Sequence, residues 1–403
     1  MGINGLPSLR PLEAVPIEHE GERMMALVDP TRYIETPMVV SIPAFYVLTL
    51  LDGEHDVDLI CEKFQKRFRQ PIAREDVIGL IDQMDSALML DNERFARHRE
   101  EARRQFMERP DRPAAFAGVS YADDPSALSE YLDGLLADVK DGGGEDIKAI
   151  VAPHIDFRVG ADMMASGWKR AAKSGADLFI ILGIGHGLEN DFFACVDKDF
   201  TTPVGAMRVD RPFLNEFARN FGEDIYANAE VHRKEHSIEF QSVFMARLFA
   251  DRPEVTAVPI LLSFPETVWG LDHPVFNGER VNRFIGALKK TVAESGRRAV
   301  FVASVDFSHV GARFGDLGRL SEEALGQVRT RDMELIKLIE NFDTEGFLRA
   351  IKAVNHSSRV CGFPALYALL NCLEAGRGSL IEYRQNVEGD METVVSFATI
   401  AIG

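Results

Sequence analysis

Histidine, aspartate and cysteine recur in this chain where apolar runs stop. His154 follows the run Ile147 to Pro153, His186 follows Leu178 to Gly183 and sits inside Gly185-His186-Gly187, and Asp306 and His309 follow Ala299 to Val305 within Asp306-Phe307-Ser308-His309. Two further segments carry the same kinds of group, Glu235-His236-Ser237-Ile238-Glu239 and Cys361-Gly362. Proton-carrying or metal-ligating side chains repeated at several strand ends are the mark of a site at the carboxyl edge of an open α/β sheet. Neutral imidazole is the commonest nitrogen ligand of metals and a general base near neutral pH, so the pattern points to metal binding, proton transfer or both.

Each motif also has a plain structural reading. Pro153 fixes the backbone before His154, and Asp156 and Arg158 place a carboxylate and a cation just beyond it. The glycines around His186 permit a tight turn and close approach of a ligand. Glu235 and Glu239 read as acids in the first turn of a helix running to Ala250; at a spacing of i and i+4 they also share a face that can meet a metal ligand or a substrate cation. Asp306 is a carboxylate suited to orienting the imidazole of His309. Cys361 precedes Gly362 and Pro364 at the start of a helix near Phe363, a position expected to lower the thiol's pKa and favour thiolate, which is both nucleophile and ligand. Cys195 and Cys372 lie in apolar surroundings and read as inert.

The elements that position these groups follow from periodicity. After Gly142-Gly143-Gly144, strand-like runs at 147–152, 177–182, 255–262 and 299–305 alternate with helical stretches such as Asp162 to Lys173 and Asn282 to Glu294. That βαβ rhythm predicts an α/β fold with a mixed, largely parallel sheet flanked by helices. Phe192 to Val196 and Val204 to Val209 read as a hairpin, and Leu380 to Val387 with Thr393 to Ile402 as a closing antiparallel pair. Before residue 110 the pattern is helical: Ala44 to Leu51, Asp56 to Phe68 and Arg74 to Leu90, then the turn Asp91-Asn92-Glu93. These make a small winged-helix-like α domain. The expected organisation is an extension over 1–32, the helical module over 33–105, a charged, proline-stopped linker over 106–113, and the α/β domain over 114–403.

Composition narrows the function classes. A chain of 403 residues is longer than one core usually supports. It is 46% hydrophobic with a mean hydropathy of -0.08 and carries a net charge of -18. Nucleic acid and anionic membranes call for clustered positive charge, so neither is expected as a partner. Lys63, Lys66, Arg67 and Arg69 form a basic helix edge, but Glu62, Asp76, Asp82 and Asp85 dilute it. The start, Met1 to Leu12, has no apolar core of a signal peptide, and four cysteines at irregular spacing suit a reducing compartment; the expected location is cytoplasmic.

The motifs taken together resemble the Memo family. The resemblance rests on the Pro-His segment, Gly-x-Gly-His, Glu-His-Ser-Ile-Glu, Ser-x-Asp-Phe-Ser-His and the late Cys-Gly turn, preceded by Arg112-Pro113-Ala114, Ala117-Gly118 and Tyr121, and it covers about 112 to 403. Memo proteins are similar in fold to class III extradiol dioxygenases, which hold non-haem iron with two histidines and a glutamate. By that resemblance His154, His186 and Cys361 are metal ligands and His309 takes the acid/base position; the residues themselves add Asp306 to orient His309, and His236, Glu239 and Asp156 as groups expected to line the pocket. The implied cofactor is one divalent transition metal, iron first, with copper or zinc favoured by a softer sulfur ligand. Two departures are Ile155-Asp156-Phe157, where small residues and an aromatic usually follow Pro-His, and Val119 in place of a tryptophan-like residue. Residues 33–97 resemble PqqD-like domains, winged-helix folds that bind leader peptides. Two functions follow: a metal-dependent redox or oxygenase-like enzyme acting on a small anionic or phenolic ligand or peptide, or an adaptor holding a phosphorylated or anionic peptide in the same cleft. The family's company implies a multi-component modification system with a radical SAM protein and an AMMECR1-like protein.

Overall fold

The structure is a computed structural model that describes residues 6–19, 21–140, 146–316, 318–353, 358–373, 376–389 and 392–403. The Gly142-Gly143-Gly144 run and the first five positions of the start lie outside the described residues. The chain forms two compact units, Met1–Glu108 and Arg109–Gly403.

The first unit opens with a three-stranded antiparallel sheet, Glu13–His19, Glu22–Val28 and Met38–Ser41 in that order. Two of these strands fall in the stretch expected as an extension; Val15 and Ile17 stand two residues apart in the first of them, but Pro16 between them and the acids Glu13 and Glu18 mask the period. Helices Ile42–Leu48, Val57–Phe68 and Arg74–Ser86 follow, the first two capped by the Ser41 and Asp56 side chains. Leu48, Ile60, Phe64, Val77 and Met84 share one core. The strand after the third helix, Leu90–Asp91, pairs with Ser8–Leu9 rather than with a consecutive strand, as a wing would. Arg94 to Glu108 belongs to one helix, Glu93–Glu108, whose charges pair along its surface. Arg10 is buried against Asp29 at 2.9 Å and lies 3.5 Å over the Phe95 ring.

In the second unit the strand order is His309–Gly311, Thr393–Ile402, Ala149–Ala152, Ala299–Ser304, Leu178–Ile184, Thr256–Leu262 and Phe193–Cys195, with Gly378–Glu388 also paired to Thr393–Ile402. The four strands 149–152, 299–304, 178–184 and 256–262 are mutually parallel. Leu178–Ile184 is buried at every residue, as a parallel strand with helices on both faces must be. Phe157–Lys173 and Gly278–Ser295 are crossover helices, begun by Asp156 and Asn277 caps. The expected hairpin is corrected: Phe193–Cys195 joins the main sheet antiparallel to Thr256–Leu262, while Gly205–Met207 turns back on Asp199–Thr202. Val196 ends on a break at Asp197-Lys198, which lets the chain leave the first sheet and start a second. The closing pair Gly378–Glu388 with Thr393–Ile402 forms as the alternation predicts.

The second unit begins with a strap. Asp111–Pro113 runs parallel to Asp199–Thr202, and the wholly buried Arg112 donates to the carbonyls of His232 and Glu235 at 2.9 Å and to the Glu239 carboxylate. Glu239 also accepts from the backbone of Ala115 and Phe116, at 2.9 Å each, and from the Tyr121 hydroxyl. Glu239 is 1% exposed, so every one of these donors offsets desolvation. Removing one partner of such a pair strands the other charge, at a cost of about 3–5 kcal/mol. We therefore expect residues 109–403 alone to unfold cooperatively, and a piece beginning at 123, which lacks Arg112 and Tyr121, to be insoluble or molten by near-ultraviolet circular dichroism. Glu239→Ala in the full chain should lose stability on that same scale in urea titrations; a loss under about 1 kcal/mol, the size of an ordinary neutral hydrogen bond, would count against the strap as a structural latch.

Candidate metal centre

Three neighbouring parallel strands deliver the first groups. Ala149–Ala152 ends at Pro153-His154, Leu178–Ile184 at Gly185-His186, and Ala299–Ser304, which lies between them, at Val305-Asp306. His154 is 2% exposed, and its Nδ1 donates to the Ser304 carbonyl at 2.8 Å. A carbonyl only accepts, so Nδ1 carries the proton and Nε2 keeps its lone pair. Burial, with the neighbouring His186 and His236 adding positive charge, pushes the His154 pKa well below the usual histidine value. A neutral ring with Nε2 free is the ligating form.

His236 arrives from the first residue of the helix His236–Leu248. That helix start presses against the end of strand Leu178–Ile184, and Gly183 is what allows it: a Cβ there would lie 2.6 Å from Ile238 and 2.7 Å from the Ser237 hydroxyl. Ser237 Oγ in turn donates to the Ile184 carbonyl at 2.8 Å and accepts from the Ile184 amide at 3.1 Å. Glu235 caps the helix and contacts Nδ1 of both His186 and His236 at 3.1 Å. Partial burial disfavours the His186 imidazolium, but the Glu235 carboxylate and the Cys361 sulfur outweigh it and hold its pKa well above the usual value. Burial also opposes ionisation of Glu235, and the His186 and His236 charges more than reverse this, keeping the carboxyl well below the usual range. Nitrogen atoms of His154, His186 and His236 all lie within 4.8 Å of one another.

Cys361 sits beside this cluster. Its Sγ is 3.5 Å from His154 Nε2 and 3.6 Å from the Asp306 carbonyl. Gly362 makes the approach feasible, because a Cβ there would meet the Asp306 carbonyl oxygen and Val305 Cβ at 2.7 Å each. The helix Phe363–Cys372 does begin here. The expected lowering of the thiol pKa is not what results: burial pushes Cys361 up, and the hydrogen bond with His186 only partly offsets it.

Asp306 and His309 share a loop without meeting. Asp306 Oδ1 accepts from the amides of His154 and Ile155 at 3.1 and 3.2 Å, and its Oδ2 lies 3.7 Å from His154 Nε2. Burial pushes its carboxyl up to about 7. His309 instead donates from Nδ1 to the Phe307 carbonyl at 3.0 Å, and its amide bonds Ser358 at 2.8 Å. Asp306 therefore orients the His154 backbone rather than the His309 ring, a correction to the pairing expected from their spacing. Burial lowers the His309 pKa to about 4, leaving a neutral ring whose Nε2 is the free acceptor.

The remaining expected pocket residues divide differently. Glu239 turns away to the strap, saturated by Arg112, Tyr121 and two amides. Asp156 caps the helix Phe157–Lys173 and is held by Arg158 at 2.7 Å and Ser120 at 3.2 Å. Their hydrogen bonds go to the strap and to the helix start. Sequence reasoning placed His236 on the pocket wall, whereas it stands with His154 and His186. It also passed over Gln241, which is fully buried, receives Trp168 Nε1 at 2.8 Å and donates at 2.8 Å to Pro153 O and Ser304 Oγ. The signal for Gln241 was its amide on an otherwise apolar helix stretch.

A family model described as "Memo-like protein" matches residues 112–401. A "MEMO1 family protein" of Aquifex aeolicus is 26% identical over 370 residues, 91% of this chain and 92% of its own length. One from Pyrococcus horikoshii is 29% identical over 304 residues, covering 71% of this chain and 97% of its own length. One from Thermus thermophilus is 23% identical over 343 residues, 85% of this chain and 97% of its own length. The Aquifex match reaches well into the first unit, whereas the family model begins at Arg112 in the strap.

Proposed function

This chain belongs to the Memo family, and we propose that it is a metalloprotein with one divalent transition metal held by His154, His186 and His236 beside the Cys361 thiol, working as a redox or oxygenase-like enzyme. The observation that carries the reading is the convergence of three imidazoles within 4.8 Å of one another, one of them kept neutral by burial with its Nε2 free. That donor set fits a transition metal: imidazole suits iron, copper and zinc, and the adjacent sulfur adds softness toward copper or zinc. We place iron first, with copper and zinc as its competitors.

When bound, the metal supplies Lewis acidity or electron transfer to a ligand at a position the protein leaves open. The chain's own residues do the rest. His154 is fixed by the Ser304 carbonyl, and Asp306 fixes the backbone that carries it. His309, with Nδ1 committed to Phe307, offers Nε2 to take or return a proton. A metal cation beside the buried, neutral His154 suits a small anionic or phenolic ligand or an acidic peptide. The first unit fits peptide or partner docking better than DNA reading, since its basic helix is short and its Arg74 pairs with Asp58. Work within a multi-component system, beside a radical SAM protein and an AMMECR1-like protein, is part of this proposal. No described helix is long and apolar enough to cross a membrane.

Metal analysis of anaerobically purified and reconstituted protein tests the reading. His154→Ala, His186→Ala and His236→Ala should each empty the site, and Cys361→Ser should lower occupancy far more than Cys372→Ser. His309→Ala should keep its metal and, once a substrate is in hand, lose about 100-fold to 10,000-fold in rate. Full metal content in His236→Ala would return the ligand set to His154, His186 and Cys361. A wild-type protein that takes up no metal but binds a phosphopeptide would replace the enzyme with an adaptor.

A further inference from the structure

We infer that Glu235 is the positioning residue of this centre, one carboxylate that orients two of its three imidazoles at once. The inference rests on the metal reading for its purpose but not for its geometry. Glu235 is 6% exposed. Its Oε1 lies 3.1 Å from His186 Nδ1, 3.1 Å from His236 Nδ1 and 2.9 Å from the Ser237 amide, and its Oε2 is 3.0 Å from the His186 amide. An ionised carboxylate can only accept. Both Nδ1 atoms must therefore carry hydrogen, and Nε2 is the nitrogen each ring can turn to a metal, once a metal displaces any proton on it.

The two rings are nearly parallel, with centroids 4.9 Å apart and planes 16° apart, and each stands almost perpendicular to His154, at 81° and 82°. The two near-parallel rings are thus held through Nδ1 against one oxygen, Oε1 of Glu235. Glu235 also caps the helix His236–Leu248, where the N-terminal dipole favours its negative charge. The two roles have different chemical requirements. A cap needs one acceptor, which an amide also provides. Orienting two Nδ1–H groups while receiving two backbone amides needs a side chain with no donor at all. His154 has no part in this, since its Nδ1–H is held by Ser304.

Glu235→Gln separates the roles. Its amide NH2 must face at least one of the four donors now bonded to the carboxylate: at the Oε1 position it opposes both ring Nδ1–H groups, and at the Oε2 position it gives up the His186 amide that sets that ring's backbone. Long-range proton–nitrogen correlation spectra of labelled protein read which ring nitrogen is protonated. In wild type, His186 and His236 should both be protonated at Nδ1 with or without zinc. In Glu235→Gln at least one of the two rings should lose its exclusive Nδ1 protonation in the zinc-bound protein while His154 stays as it was, and zinc affinity should fall about 10-fold to 100-fold, the usual effect of losing a group that orients a ligand. Unchanged ring protonation together with unchanged affinity would overturn the assignment and leave Glu235 a cap alone. Should Glu235→Gln fail to fold, Glu235→Asp, which keeps the charge and a cap acceptor but is one methylene too short for both rings, is expected to show the same two changes. A wild type that binds no zinc would defeat the metal reading, and the protonation pattern would still decide the role of Glu235.

Discussion

Two carboxylates one helical turn apart are buried at the start of the helix His236–Leu248, and much of the second unit is arranged to satisfy them. Glu235 is 6% and Glu239 1% exposed. An unpaired carboxylate at such depth costs several kcal/mol, so each must find donors before the helix can dock. Glu239 finds them in Arg112, Tyr121 and two amides of the strap. Glu235 finds them in His186, His236 and two amides at the edge of the sheet. The helix start is thereby fixed between strap and sheet, and the fold and the site are specified by the same few hydrogen bonds.

A second set of bonds fixes the strand ends against that helix. Gln241, one turn beyond His236, links Trp168 on one crossover helix to Pro153 and Ser304 on two adjacent strands. Ser304 Oγ passes the contact on to the Ser237 carbonyl. Buried polar networks of this kind are strong only when every member is satisfied, and here Gln241 uses both its acceptor and its donors. The same network carries the carbonyl of Ser304 that sets the His154 tautomer. Packing around His154 thus controls its chemistry, because its backbone, ring proton and burial all trace to residues on other strands.

Some of this was legible in the sequence because strand and chemistry end together. The apolar runs before His154, His186 and Asp306 are strands of a parallel sheet, and three neighbouring strands of one sheet necessarily bring their carboxyl ends to one place. The site's finer pairings were not legible. Spacing suggested that Asp306 serves His309, but the loop between them is pulled by Ser396, which accepts from Phe307 at 2.7 Å, and by Asp332, which receives the Ser308 hydroxyl at 2.6 Å. Those partners lie far along the chain, and nothing local announces them. That His236 stands with His154 and His186 was not legible for a related reason: its position on a helix is plain, but the depth of that helix depends on the absence of a side chain at Gly183 in another strand. The strand Glu13–His19 of the first unit was hidden because Pro16 and charged neighbours break up its apolar pattern over only seven residues.

Cys361 shows how the two descriptions of the ligand set meet. The family resemblance names His154, His186 and Cys361, while the three imidazoles form the tighter group. The thiol is not displaced from the centre: its sulfur stands 3.5 Å from His154 Nε2, and Gly362 has given up its side chain to let it come that close. With metal–nitrogen distances of about 2.0–2.1 Å and metal–sulfur of about 2.3 Å, the nitrogen–sulfur edge of a tetrahedron is about 3.5 Å. The observed separation equals that edge, and it is equally the length of a thiol–imidazole hydrogen bond. Burial holds the thiol protonated in the bare protein, and a cation at the centre supplies the charge that would release that proton. The imidazoles and the thiol are thus placed by separate devices of one fold, the nitrogens by the carboxylate of Glu235 and the carbonyl of Ser304 and the sulfur by the bare backbone of Gly362.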